Sequence, residues 1–138
     1  HAFLHERSAK RIEKNSYELT PGNTGAEIWR KLIEPSPNIR MVVCGHTGKP
    51  GDYEDAVAYR VDKNRAGHDV RQMMFNVQIL GGGWEGNGGD GWLRILEFLP
   101  VGRTIKVRTY SPLFGISSLT KHLAHRTGAC DRFDMVIE

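Results

Sequence analysis

Residues 38–46, Asn-Ile-Arg-Met-Val-Val-Cys-Gly-His, constrain the fold most strongly. The apolar run 39–44 is too short for a typical helix and nearly continuous, the pattern of a strand buried on both faces. It ends in Gly45 and delivers His46 to a Gly/Pro-rich loop, Thr47-Gly48-Lys49-Pro50-Gly51. A strand end holds an imidazole rigidly at the mouth of a sheet, and neutral imidazole is the commonest protein ligand for catalytic divalent metals. Loops at such ends also gather functional groups. Position alone leaves an ordinary loop histidine as the commoner role for His46.

The flanking segments specify an α+β chain that is mostly β, with one clear helix. Thr24 and Glu27 stand at capping-box spacing, and Ile28, Trp29, Leu32 and Ile33 form one apolar face, so a helix is expected over 25–34. Pro35 and Pro37 stop it. Ahead of it, residues 5–22 are polar and read as a loop. Strands are expected over 56–61, 70–79, 92–99, 104–110 and 133–137, with a helical turn within 117–125. In 104–110, Ile105, Val107 and Thr109 alternate with Lys106 and Arg108, which leaves one face wet. The intervening Pro100-Val101-Gly102-Arg103 suits an antiparallel hairpin. With no internal repeat and no domain-sized linker, residues 1–138 read as a single domain or a fragment of one.

The hydrophobic fraction of 39% and charged fraction of 25% describe a globular chain able to bury a core. No apolar run approaches the roughly 20 residues that cross a bilayer. Net charge is +3, but the basic residues are scattered, and no nucleic-acid-binding motif is present. The densest cluster, Lys10-Arg11 to Lys14, reads as a solvated loop. Mild positive charge suits an anionic substrate. Cys44 and Cys130 match no zinc spacing and are too few for a disulfide scaffold.

Several motifs have ordinary readings. Gly81, Gly83 and Gly86 satisfy G-x-G-x-x-G, yet a strand and not a helix follows, so the stretch 81–91 reads as a long flexible connection. Cys44 and His46 do not make a thiol–base pair by proximity in sequence. His5, His68, His122 and His125 lack ligand-like spacing; the last two read as a solvated surface pair. Asn76 and Gln78 place two amides on one face of a strand, with hydrogen bonding to nearby loops as their ordinary role. Tyr110-Ser111-Pro112 ends a strand in a turn.

In order along the chain, His1-Ala2-Phe3-Leu4, Trp29 in the capped helix, Val42-Val43-Cys44-Gly45-His46-Thr47, Asn76-Val77-Gln78, Gly89-Asp90-Gly91-Trp92-Leu93-Arg94 and Thr109-Tyr110-Ser111-Pro112 resemble the C-terminal half of a calcineurin-like metallophosphoesterase. The last three blocks resemble a secreted-type branch, which implies a secreted or periplasmic location. The resemblance implies a β-sandwich flanked by helices and hydrolysis of phosphate mono- or diesters. It further implies that His1 and His46 are ligands to a dinuclear centre of Mn, Fe or Zn. Gly48 stands where the family's Gly-His-x-His pattern has its second histidine. The Asp-x-His and Gly-Asn-His blocks do not occur in these residues, and Gly-Asp-x-x-Asp occurs only after His46, as Gly51-Asp52-Tyr53-Glu54-Asp55, not in the family's place ahead of the Gly-His block. No catalytic residue is therefore assigned, and a chain that begins on a candidate ligand reads as cut from a larger one.

The expectation is the C-terminal segment of a metal-dependent phosphohydrolase. It would be inactive alone, would bind no metal by itself, and would act in its parent on a phosphorylated small molecule. Neither nucleic acid nor membrane is expected as a partner. Removing half a sandwich exposes sheet edges, so self-association through them is expected. The alternative is a non-catalytic β-rich module binding carbohydrate or protein, with Trp84 and Trp92 as an exposed platform.

Overall fold

In a computed structural model of the chain, residues 2–15, 21–49 and 52–137 are described, Trp84 by its backbone alone. The fold is α+β and mostly β: one clear helix, shorter helical turns, and two sheets. The chain divides into two compact units, 1–76 and 77–138.

In the first unit, helix α1 (Gly25–Ile28) starts where the capping box puts it. The Glu27 N–H donates to Thr24 Oγ1 at 3.2 Å, and the Thr24 N–H donates to Glu27 Oε2 at 2.9 Å. The helix continues through a π-helical turn, Trp29–Ile33, closed by Glu34 N–H donating to Trp29 O, five residues back. This wider turn corrects the expected four-residue apolar face: Trp29 and Ile33 are buried, whereas Leu32 is 56% exposed. Gly25 has no room for a side chain, because a Cβ there would fall on the Phe3 carbonyl oxygen.

Strands β1 (Met41–Cys44), β2 (Val57–Lys63) and β3 (Asp69–Phe75) form a sheet of order β1-β3-β2. β3 runs parallel to β1, with Met41 opposite Arg71, and antiparallel to β2, with Val57 opposite Phe75. As an edge strand, β1 is not buried on both faces as expected, and Val43 is 59% exposed. The β2–β3 turn is organised by Asn64, whose Oδ1 accepts the N–H groups of Ala66 and His68. The core of this unit gathers Phe3, Leu4, Trp29, Ile33, Ala58, Val70 and Met74. The loop expected over 5–22 is tighter than its polarity suggests. A bridge pairs Leu4 with Arg11, and Ile12 is buried; residues 16–20 lie outside the described residues.

Correcting the expected long strand, β3 ends at Phe75, and Val77–Ile79 is a 3₁₀ turn, so Asn76 and Gln78 do not share a strand face. The glycine-rich stretch does connect strands, as expected, but as a chain of hydrogen-bonded turns. Gly81 O accepts from Asn87 N–H, and Gly83 O accepts from Gly86 N–H. A Cβ on Gly86 would overlap the Gly81 carbonyl.

In the second unit, β4 (Leu93–Phe98) and β5 (Thr104–Tyr110) form the expected antiparallel hairpin, with Leu93 opposite Tyr110. The alternation in β5 holds: Ile105, Val107 and Thr109 are buried, while Lys106 and Arg108 are partly exposed. After β5, Ser111 caps a short helix α2 (Pro112–Gly115), accepting Phe114 N–H at 3.2 Å and donating to Asp90 O at 2.5 Å. A 3₁₀ turn, Lys121–Leu123, falls within the expected helical region. β6 (His125–Arg126) and β7 (Phe133–Val136) pair with the two halves of β5. Trp92 is buried and meets Phe114 edge-on, with centroids 5.5 Å apart. That burial removes it from any exposed tryptophan platform, a correction to the alternative reading.

Candidate functional site

His46 leaves the end of β1 with φ of 71°, in the left-handed region. Such a backbone is uncommon for a non-glycine residue, though histidine tolerates it better than most. Strain of this kind persists only where surrounding bonds enforce it. Here two bonds fix the next residue. Thr47 Oγ1 donates to Leu4 O at 2.6 Å, and Thr47 O accepts from Asn76 Nδ2 at 3.0 Å. Gly45 contributes by lying close to Phe75 O, 3.3 Å from where its Cβ would stand. Asn76 is 8% exposed, so its amide is a buried clamp on the histidine loop.

The Thr47–Leu4 bond also brings the chain after Leu4 alongside this loop. His5, Glu6, Lys14, His46 and Lys49 line a common cleft of about 230 Å³. His46 and His5 are exposed. Glu6 is mostly buried, with Lys49 Nζ 3.5 Å from Oε1 and His5 Nδ1 3.9 Å from Oε2. The cleft thus gathers two imidazoles and a carboxylate, groups suited to proton transfer, with two ammonium groups for an anionic oxygen.

Of the two residues expected as metal ligands, His46 sits on this cleft and His1 lies outside the described residues. Sequence reasoning passed over His5 and Glu6, because nothing in their spacing announces a bond between Leu4 and Thr47. His68 lies beside the β2–β3 turn, and His122 and His125 belong to the second unit. His125 packs against Tyr110, ring centroids 4.9 Å apart. Cys44 and Cys130 are free thiols. Burial pushes the Cys44 pKa up, and backbone contacts with Leu4 and Phe3 offset this without reversing it, which opposes a thiolate nucleophile.

Among the described residues, no three His, Cys, Asp or Glu side chains are placed to hold a metal ion together. The cleft's donors are two imidazoles and one carboxylate, and that carboxylate is paired with Lys49. The described residues alone do not fit a dinuclear centre.

No family model matches the chain, and no solved structure matches it. Over 105 residues the chain is 33% identical to the uncharacterized protein YvnB of Bacillus subtilis (strain 168). That match takes in 71% of the chain but spans only 7% of YvnB.

Proposed function

We propose that the chain is the C-terminal segment of a metal-dependent phosphohydrolase domain acting on a phosphorylated small molecule. His46 and His1 would be metal ligands, and residues outside these 138 would supply the rest of a dinuclear Mn, Fe or Zn centre. The observation that carries this reading is the left-handed His46 at the end of β1, clamped through Thr47 and exposed on a cleft with His5 and Glu6. A backbone outlier at a strand end is where a functional constraint is expected to show. The chain's own residues would orient His46 and place cationic groups near the phosphoryl oxygens; the bound metals would activate water. The short share of YvnB that the chain spans supports reading it as part of something longer. The test compares p-nitrophenyl phosphate hydrolysis by the 138-residue chain and by the longer protein that carries it. Negligible turnover by the first and metal-dependent turnover by the second are expected; robust hydrolysis by the isolated chain contradicts the proposal.

A second reading, a non-catalytic module that binds protein, draws on β4. This outer strand of the second sheet exposes Leu93, Ile95 and Phe98, at 49%, 44% and 62%. An edge of this composition is a template for pairing with a second copy of the chain.

A further inference from the structure

Away from the His46 loop, the first unit contains a larger cleft of about 830 Å³, within the range of roughly 300–1,000 Å³ of small-molecule sites. Lys10, Arg11, Arg30 and Arg60 line it, against Glu13 and Glu27. Glu27 is already engaged, receiving the Thr24 N–H and the Lys31 ammonium, each at 2.9 Å. Neither Lys10 nor Arg30 has an acidic partner among the described residues.

Behind the cleft, the single carboxylate of Asp62 anchors two guanidinium groups. It accepts Arg11 Nη2 at 2.6 Å, Arg60 Nε at 2.6 Å and Arg60 Nη2 at 2.7 Å, and also Gln72 Nε2 at 2.7 Å. Three of these bonds fall on Oδ2 and one on Oδ1, Arg60 Nη1 also donates to Ala9 O at 2.9 Å, and the one carboxylate meets two guanidinium charges. The excess charge is partly desolvated: burial lowers the Arg11 pKa, although the group stays protonated. Arg11 is also fixed in place, its guanidinium 3.6 Å from the Trp29 ring centroid and its Nε bonded to Gln72 Oε1. The sequence suggests a solvated basic loop here; the fold instead holds two guanidinium groups rigidly, their Nε/Nη2 edges engaged by Asp62 and Gln72, so that what they offer an oxyanion at the cleft is fixed positive charge.

We propose that this cleft binds a small molecule bearing a phosphate or sulfate group. Arg11 and Arg60 form its floor, and Lys10 and Arg30 close over the anion from the mouth. Binding needs no metal, so the proposal does not rest on the phosphohydrolase reading.

The experiment is an NMR titration of the ¹⁵N-labelled 138-residue chain at low ionic strength with EDTA, using pyrophosphate in one arm and sulfate in the other. Saturable shifts are expected at the Trp29 indole and Arg11 Nε–H signals. The double variant Lys10→Ala/Arg30→Ala, altered only at exposed positions, is expected to bind about tenfold more weakly. Lys121→Ala, in the second unit, is expected to bind as the parent does. Response to both anions supports a general oxyanion site, and response to pyrophosphate alone supports a phosphate ester. No saturable shift with either anion overturns the proposal. So does undiminished binding in the double variant, or equal weakening by Lys121→Ala.

Discussion

Asn76, the residue after β3, donates its Nδ2 to Thr47 O at 3.0 Å and so ties the end of one strand to the loop that leaves its parallel neighbour. Replacing Asn76 by Ala leaves a carbonyl unsatisfied and is expected to cost about 1–3 kcal/mol. Hydrogen exchange should show the amides of His46 and Thr47 losing protection beyond any global change. Unchanged protection there would mean that the loop is held by something else.

The close approach of Gly25 to Phe3 makes a second prediction. In an ordinary helix, Gly→Ala stabilises by roughly 0.5–1 kcal/mol. At Gly25 a Cβ would meet the Phe3 carbonyl, so Gly25→Ala should destabilise by about 1–3 kcal/mol in urea unfolding. Equal or greater stability would show that the N-terminal segment is not packed against the helix start.

Glu27 gives a pH signature. The Thr24 N–H, and then the Lys31 ammonium, hold its pKa down at about 2. A carboxylate depressed in the folded state stabilises above its unfolded pKa, and that contribution is lost as pH falls through the folded value. The stability difference between the parent and Glu27→Gln should therefore be constant above about pH 5 and shrink steadily toward pH 2. A difference that does not change with pH would contradict the capping role.

Trp92 is buried against Phe114, so Trp92→Ala should cost about 3–5 kcal/mol in the second unit. Near-native stability with selective loss of sugar binding would restore the platform reading. On the β4 edge, Ile95→Lys should reduce any concentration-dependent association seen by light scattering. A chain that is monomeric at every concentration would remove the self-association reading.

How much could be read from the sequence followed the range of the interactions. The start of α1 was legible because Thr24 and Glu27 signal within three residues. The faces of β5 were legible because neighbours on both sides fix which residues turn inward. Leu32 and Val43 misled, since their exposure depends on a π turn and on β1 being an edge, neither of which has a local signature. The strand expectation overruns β3 because Val77 and Ile79 continue an apolar pattern into a 3₁₀ turn. The cleft at His46 was half legible: the strand-end histidine could be seen, but His5 and Glu6 arrive through a bond spanning 43 residues. The Asp62 fork likewise joins Arg11 to residues far along the chain.

The most direct test of the central claim is metal content, together with p-nitrophenyl phosphate hydrolysis, in the longer protein that carries this segment and in its His46→Ala variant. If His46 is a ligand, the variant should lose bound metal, and its rate should fall by at least about 10–100-fold, the loss typical of even an outer-shell partner. Metal content and rate both unchanged in a folded variant would contradict the assignment.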